Sequence, residues 1–159
     1  MRTWALVAML MVGPMLAQEF GSLDAVPAKN RQYVVYAAEQ QTVPAGKRAV
    51  LELKFRVQDG FHVNSHTPKS ELLIPTRVEL QPTDVKVAAA EYPAGQEFSF
   101  SFDPTEKLDV YADAFTVRLP VTASAGPHEI RGALKYQACD HAACYPPKTL
   151  PISVIFTAK

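Results

Sequence analysis

Leu51, Leu53, Phe55 and Val57 alternate with Glu52, Lys54 and Arg56, the period of two required by a strand with one buried face. The same alternation recurs at Val78 and Leu80 around Glu79, and at Phe115, Val117, Leu119 and Val121. It appears again at Ile130, Leu134 and Tyr136, and at Leu150, Ile152, Val154 and Phe156. Turn signals separate these runs: Pro44-Ala45-Gly46, Asp59-Gly60, Gln81-Pro82-Thr83-Asp84, Tyr92-Pro93-Ala94-Gly95, Asp103-Pro104 and Ala125-Gly126-Pro127. Thirteen prolines punctuate the chain too often for a helical bundle, because proline inside a helix removes a hydrogen bond and clashes with the preceding turn. Short strands at near-regular spacing, without a long helical pattern, predict a single all-β domain over residues 31–159, built as a sandwich or barrel.

The first seventeen residues follow a different pattern. All four methionines and the only tryptophan lie there. Arg2 supplies a positive start, Trp4 to Val12 an apolar run too short to span a bilayer, and Gly13-Pro14 a break before Ala17. A secretory signal peptide needs this arrangement, and cleavage is expected after Ala17. Residues 18–30, polar and small, are expected to be a flexible lead-in. No lipidated cysteine and no second long apolar run follow, so the exported chain is expected to be soluble and not inserted in the membrane.

Charge narrows the function further. The 159 residues carry 16 Lys plus Arg against 16 Asp plus Glu, without the basic surplus that phosphate neutralisation by a nucleic-acid binder demands. No Gly-x-Ser-x-Gly elbow is present, which argues against a hydrolase of that type.

The chemistry concentrates in Leu134-Lys135-Tyr136-Gln137-Ala138-Cys139-Asp140-His141-Ala142-Ala143-Cys144-Tyr145-Pro146-Pro147, between the last two predicted strands. In an oxidising compartment a nearby cysteine pair forms a disulfide. Closing so short a ring removes only about 2 kcal/mol of unfolded-state entropy, and a domain of about 130 residues buries enough surface to fold without it. A redox-exchange pair on a protruding turn is one reading, because exchange needs an attacking and a resolving sulfur close together. A structural clamp is a second. A copper(I) or zinc site is a third, with Cys139, His141 and Cys144 joined by His62 or His66. Beyond the signal segment the chain has no methionine, so a blue-copper site would lack its usual axial ligand. His62 and His66, an even number apart in an expected strand, should point the same way. His128, in a turn, is expected to be solvated.

The run Tyr136-Gln137-Ala138-Cys139, then Cys144-Tyr145-Pro146-Pro147, with Asp59-Gly60-Phe61-His62-Val63-Asn64 and Leu73-Ile74-Pro75-Thr76, resembles the N-terminal periplasmic domain family of the thiol:disulfide interchange protein DsbD. The likeness spans about Tyr33 to Phe156. It implies an immunoglobulin-like β-sandwich in which Cys139 and Cys144 are the catalytic pair. That pair would exchange with periplasmic thioredoxin-like proteins, cytochrome c maturation factors among the acceptors, and draw electrons from a membrane reductase. No cofactor is implied, and a monomer is expected. Which cysteine is attacked first stays open. Family members shield the pair with a phenylalanine on a cap loop. Here Phe102, in the run Phe98-Ser99-Phe100-Ser101-Phe102, is the residue chosen, although these rings also fit one face of a strand. His62, Asn64, Tyr136, His141 and Tyr145 complete the set of expected binding or shielding residues.

The chain departs from the well-known enterobacterial members in two respects. It has four residues rather than five between the cysteines, and His62 and Asn64 stand where those members carry aromatic residues. It also ends at Lys159, so a free-standing module with a separately encoded reductase is expected. The competing function is a sandwich-fold interaction or metal-handling module whose cysteines are structural or metal-ligating.

Overall fold

A computed structural model describes residues 31–159, and the expected signal peptide and lead-in lie outside the described residues. Their regular structure is entirely β. In chain order the strands are β1 (Val34–Ala37), β2 (Gln41–Val43), β3 (Ala49–Val57), β4 (His62–Asn64), β5 (Arg77–Leu80) and β6 (Lys86–Val87). They continue with β7 (Gln96–Phe100), β8 (Asp103–Tyr111), β9 (Ala114–Thr122), β10 (Gly126–Tyr136), β11 (Ala138–Cys139) and β12 (Lys148–Ala158).

Three open sheets result, ordered β1-β3-β9-β6, β2-β12-β10-β5 and β11-β4-β8-β7. The five predicted runs became β3, β5, β9, β10 and β12. Leu51, Leu53, Phe55 and Val57 turn inward while Glu52 and Arg56 face solvent, so the period-two pattern is realised as burial. In the first sheet β3 pairs antiparallel with β9, Leu53 opposite Val117. In the second, β10 and β12 form an eleven-residue ladder, Ile130 opposite Val154 and Leu134 opposite Leu150. The inward residues of both sheets, including Leu51, Leu53, Val117, Leu119, Ile130, Leu134, Val154 and Phe156, share one core. This is the packing of a sandwich rather than a barrel, and the fold is the immunoglobulin-like all-β class that the resemblance implied.

The third sheet positions the chemistry. Strand β10 ends at Tyr136, and after Gln137 the chain pairs β11 with β4, Cys139 opposite His62. Strand β4 pairs in turn with β8, Val63 opposite Tyr111. Gly60, at φ 81° in the turn that delivers β4, occupies a left-handed conformation that side chains resist. Strands β7 and β8 form a long hairpin with its own small core of Phe100, Leu108 and Val110, on which Leu73 and Phe98 pack.

Three expectations differ from the structure. Asp103-Pro104 does not make the turn: the hairpin reverses at Ser101-Phe102 and Asp103 begins β8. Asp103 Oδ1 accepts the Thr105 and Glu106 amides and the Thr105 hydroxyl, a local acceptor role typical of aspartate at a bend. Strand β4 ends at Asn64, so His66 does not share a strand with His62. His66 lies flat on Tyr92, ring centroids 3.7 Å apart, with Nδ1 at 2.9 Å from the Thr76 carbonyl. His128 is not simply solvated, since it stacks on Phe156 and its Nε2 lies 2.8 Å from the Ser124 carbonyl.

Candidate functional site

The cysteine loop is a minimal antiparallel turn. The Asp140 amide donates to the Ala143 carbonyl at 2.9 Å and the Tyr145 amide to the Ala138 carbonyl at 2.8 Å. Cys139 and Cys144 lie between these bonds, bridged antiparallel with Cα atoms 3.9 Å apart. The non-hydrogen-bonded position of an antiparallel ladder brings facing side chains closest together, and here the two residues are joined as a disulfide.

The loop is shaped by Asp140. Its Oδ1 accepts the Ala142 and Ala143 amides at 2.7 and 2.9 Å, and its Oδ2 accepts the Tyr145 hydroxyl. These donors hold its carboxyl down to about 2, because hydrogen bonds to the ionised form favour it. Asp140 thereby serves the turn itself.

Behind the loop, Tyr145 stacks on Tyr33 with centroids 5.1 Å apart, and Tyr33 meets Phe61 at 4.8 Å. The fully buried Tyr136 accepts the Tyr33 amide on its hydroxyl and donates to Gln32 Oε1. Asn64, also fully buried, donates from Nδ2 to the Ile74 carbonyl and to Gln137 Oε1, while Gln137 donates to the Tyr145 carbonyl. Asn64 thus ties the segment after β4 to Gln137, two residues before the first cysteine.

In front, the β7–β8 hairpin supplies aromatic cover. The Phe98 ring lies 4.0 Å from the His62 ring and 6.4 Å from His141, and meets Phe100 edge to face at 5.4 Å. Phe102 is at the hairpin tip, 68% exposed, stacked on Phe100 at 4.9 Å. Of the three rings, Phe98 therefore reaches both histidines beside the cysteine pair. The sequence offered all three at the same alternation, and only the register of β7 distinguishes them.

The two sulfurs sit in unequal surroundings. Cys139 is 0% exposed, whereas Cys144 is solvent-exposed. His62, opposite Cys139, is 4% exposed and its Nε2 has no hydrogen-bond partner. Burial, with a smaller contribution from nearby His141, pulls its pKa down to about 4, so His62 is neutral at pH 7. The structure thus brings His62, Asn64, Tyr136, His141 and Tyr145 around the loop and leaves Phe102 at the tip of the cover. No group of three or more ionisable side chains suited to a metal ion is assembled among the described residues. No helix among them is long and apolar enough to cross a membrane.

Comparison with known proteins adds independent findings. Residues 30–154 match the family model described as "Thiol:disulfide interchange protein DsbD, N-terminal". The curated thiol:disulfide interchange protein DsbD of Actinobacillus pleuropneumoniae serotype 5b (strain L20) is 23% identical over 104 residues. That match takes in 65% of this chain and 15% of the relative, so the chain spans a small part of that protein's length. Among solved structures, the reduced DsbD N-terminal domain of Neisseria meningitidis is 19% identical with a TM-score of 0.46, over 68% of this chain and 81% of that one. A complex of the DsbD and PilB N-terminal domains from the same organism gives 19% and 0.49, over 82% and 87%. The N-terminal periplasmic domain of ScsB from Proteus mirabilis gives 11% and 0.49, over 75% and 44%.

Proposed function

The chain belongs to the family of DsbD N-terminal domains, and on that premise we propose that it is a periplasmic relay module exchanging electrons through Cys139 and Cys144. The supporting observation is the unequal exposure of two cysteines on one turn, Cys144 open and Cys139 buried. Thiol–disulfide exchange requires the attacking thiolate to reach a sulfur in line. Cys144 is the sulfur that a partner protein reaches, and Cys139 resolves the mixed disulfide from behind. Phe98 lies on His62, the residue paired with Cys139, and in this reading it serves as an apolar lid on that side that a docked protein displaces.

The partners fitted to this chemistry are periplasmic thioredoxin-like proteins, with reducing equivalents entering from a membrane reductase. A solved complex between a DsbD N-terminal domain and a PilB N-terminal domain supports protein partners. Reaction needs only the two sulfurs and the partner's pair: as one disulfide is reduced the other forms, and no cofactor takes part.

Trapping tests this reading. Reduced Cys139→Ser protein keeps the accessible sulfur and lacks the resolving one. Mixed with an oxidised thioredoxin-like domain, it should accumulate a covalent complex through Cys144, and Cys144→Ser should not. Equal trapping by both variants, or by neither, contradicts the assignment.

A further inference from the structure

Removing Cys139 from water creates a problem for the chemistry proposed above, on which this inference rests. The nucleophile in exchange is the thiolate, and burial in apolar surroundings disfavours that charged form. Cys139, at 0% exposure, has to lose and regain a proton without reaching solvent. Its register partner across the β11–β4 ladder is His62. Partners in an antiparallel pair project to the same face with Cβ atoms about 5 Å apart. The imidazole is buried, held against Phe98, and carries an Nε2 with no partner, a condition that costs free energy unless something uses it.

We propose that His62 is the proton partner of Cys139, its Nε2 accepting the Cys139 S–H in the reduced protein and taking that proton as Cys139 attacks. The steps balance as follows. The Cys144 thiolate attacks a partner disulfide, forming a mixed disulfide and expelling one partner thiolate, which solvent protonates. Cys139 passes its proton to His62 and attacks Cys144 Sγ. The Cys139–Cys144 bond forms, and the second partner thiolate leaves with the proton that the imidazolium returns. The partner disulfide has gained two electrons and the dithiol has lost two.

Electrostatics support the direction of transfer. With neutral sulfurs beside it, His62 is held uncharged by burial, while a thiolate at Cys139 favours imidazolium through the attraction of opposite charges. The other ionisable groups acting on His62 are His141 and Asp140 of the cysteine loop. The β7–β8 hairpin presents Phe98 and Phe100 to its ring, and the Tyr111 hydroxyl of β8 is committed to the Pro93 carbonyl.

Rapid quenching with mass spectrometry separates the two steps, using the reduced full chain and glutathione disulfide as probe. In His62→Phe, the Cys144–glutathione adduct should form at the wild-type rate, while its resolution by Cys139 should slow about tenfold or more at pH 7. Resolution in that variant should then climb about tenfold per pH unit toward the thiol range near 8.5. His62→Gln should behave likewise. Unchanged resolution rate and pH profile in either folded variant overturns the inference. Should neither variant fold, nitrogen NMR of the wild-type imidazole decides: the Nε2 shift of His62 must move on reduction of the pair, and an identical shift in both redox states overturns it. Failure of the wild type to form an adduct with glutathione disulfide and with an oxidised thioredoxin-like domain alike overturns the exchange reading, and this inference with it.

Discussion

Cys139 and Cys144 face each other with Cα atoms 3.9 Å apart, yet one is sealed and the other open. The asymmetry comes from the register. Cys139 is a β11 residue paired with His62, whose ring meets Phe98, whereas Cys144 lies on the outer arm of a turn whose backbone bonds are made within the loop. In the relay reading, selectivity between the two sulfurs would follow from strand pairing rather than from the cysteines themselves.

This asymmetry has a direct readout. In the reduced protein, a bulky alkylating reagent should modify Cys144 at least about tenfold faster than Cys139, since reactivity follows thiolate character and access. Peptide mapping after timed quenching gives both rates. Equal rates would show that the cover does not persist once the bond is broken.

Phe98 should matter more than Phe102 for shielding. Phe98→Ala should raise the Cys139 alkylation rate severalfold and destabilise the domain by about 1–3 kcal/mol, less than a fully buried ring because Phe98 is half-buried. Phe102→Ala, at an exposed tip, should cost under about 0.5 kcal/mol and leave the Cys139 rate near wild type. Alkylation kinetics with urea melts on both variants checks the pair, and the reverse order would identify Phe102 as the shield.

Stability should depend on pH through His62. Its folded pKa of about 4 lies below the ordinary 6.5, so between these values the unfolded chain binds the proton and the folded one does not. The contribution is whole above pH 6.5 and is lost as pH falls toward 4, by roughly 3 kcal/mol at most. Urea melts of the disulfide-intact protein from pH 7 to 4 should show this decline, flattened in His62→Gln. An identical slope in the variant would show that another group titrates.

Asp140 acts in a lower window. Its carboxyl, held to about 2 by the Tyr145 hydroxyl and two loop amides, loses its contribution to loop order only as pH falls from the ordinary aspartate range to that value. Asp140→Ala should leave the Ala142 and Ala143 amides unsatisfied and raise their hydrogen exchange severalfold at pH 7, with the β10–β12 ladder unaffected. Unaltered exchange at both amides would show that the carboxylate does not hold the turn.

The sandwich was readable wherever one strand face meets the core and the other meets water. Leu51 to Val57 and Leu150 to Phe156 alternate in sequence because they alternate in burial. Strand β4 was expected around His62, but its end was not legible: His62, Val63 and Asn64 are all buried, so no alternation shows that the strand stops before His66. The cysteine loop and its neighbours were legible from residue types and from the family resemblance. The unequal burial of the two sulfurs was not, because it depends on pairing Cys139 with a residue far away in the chain. Nor could the alternation of Phe98, Phe100 and Phe102 say which ring turns to His62, since the hairpin reverses between Phe100 and Asp103 and carries Phe102 outward.

The reduction potential of the Cys139–Cys144 pair tests the central claim most directly. The exported chain would be equilibrated in glutathione and dithiothreitol buffers of graded potential, and free thiols counted by alkylation and mass spectrometry. An exchangeable relay pair should titrate between about −180 and −270 mV, within the range of thiol–disulfide oxidoreductases. A value below about −300 mV, where structural bridges lie, or a pair that never opens while the domain stays folded, would contradict the account.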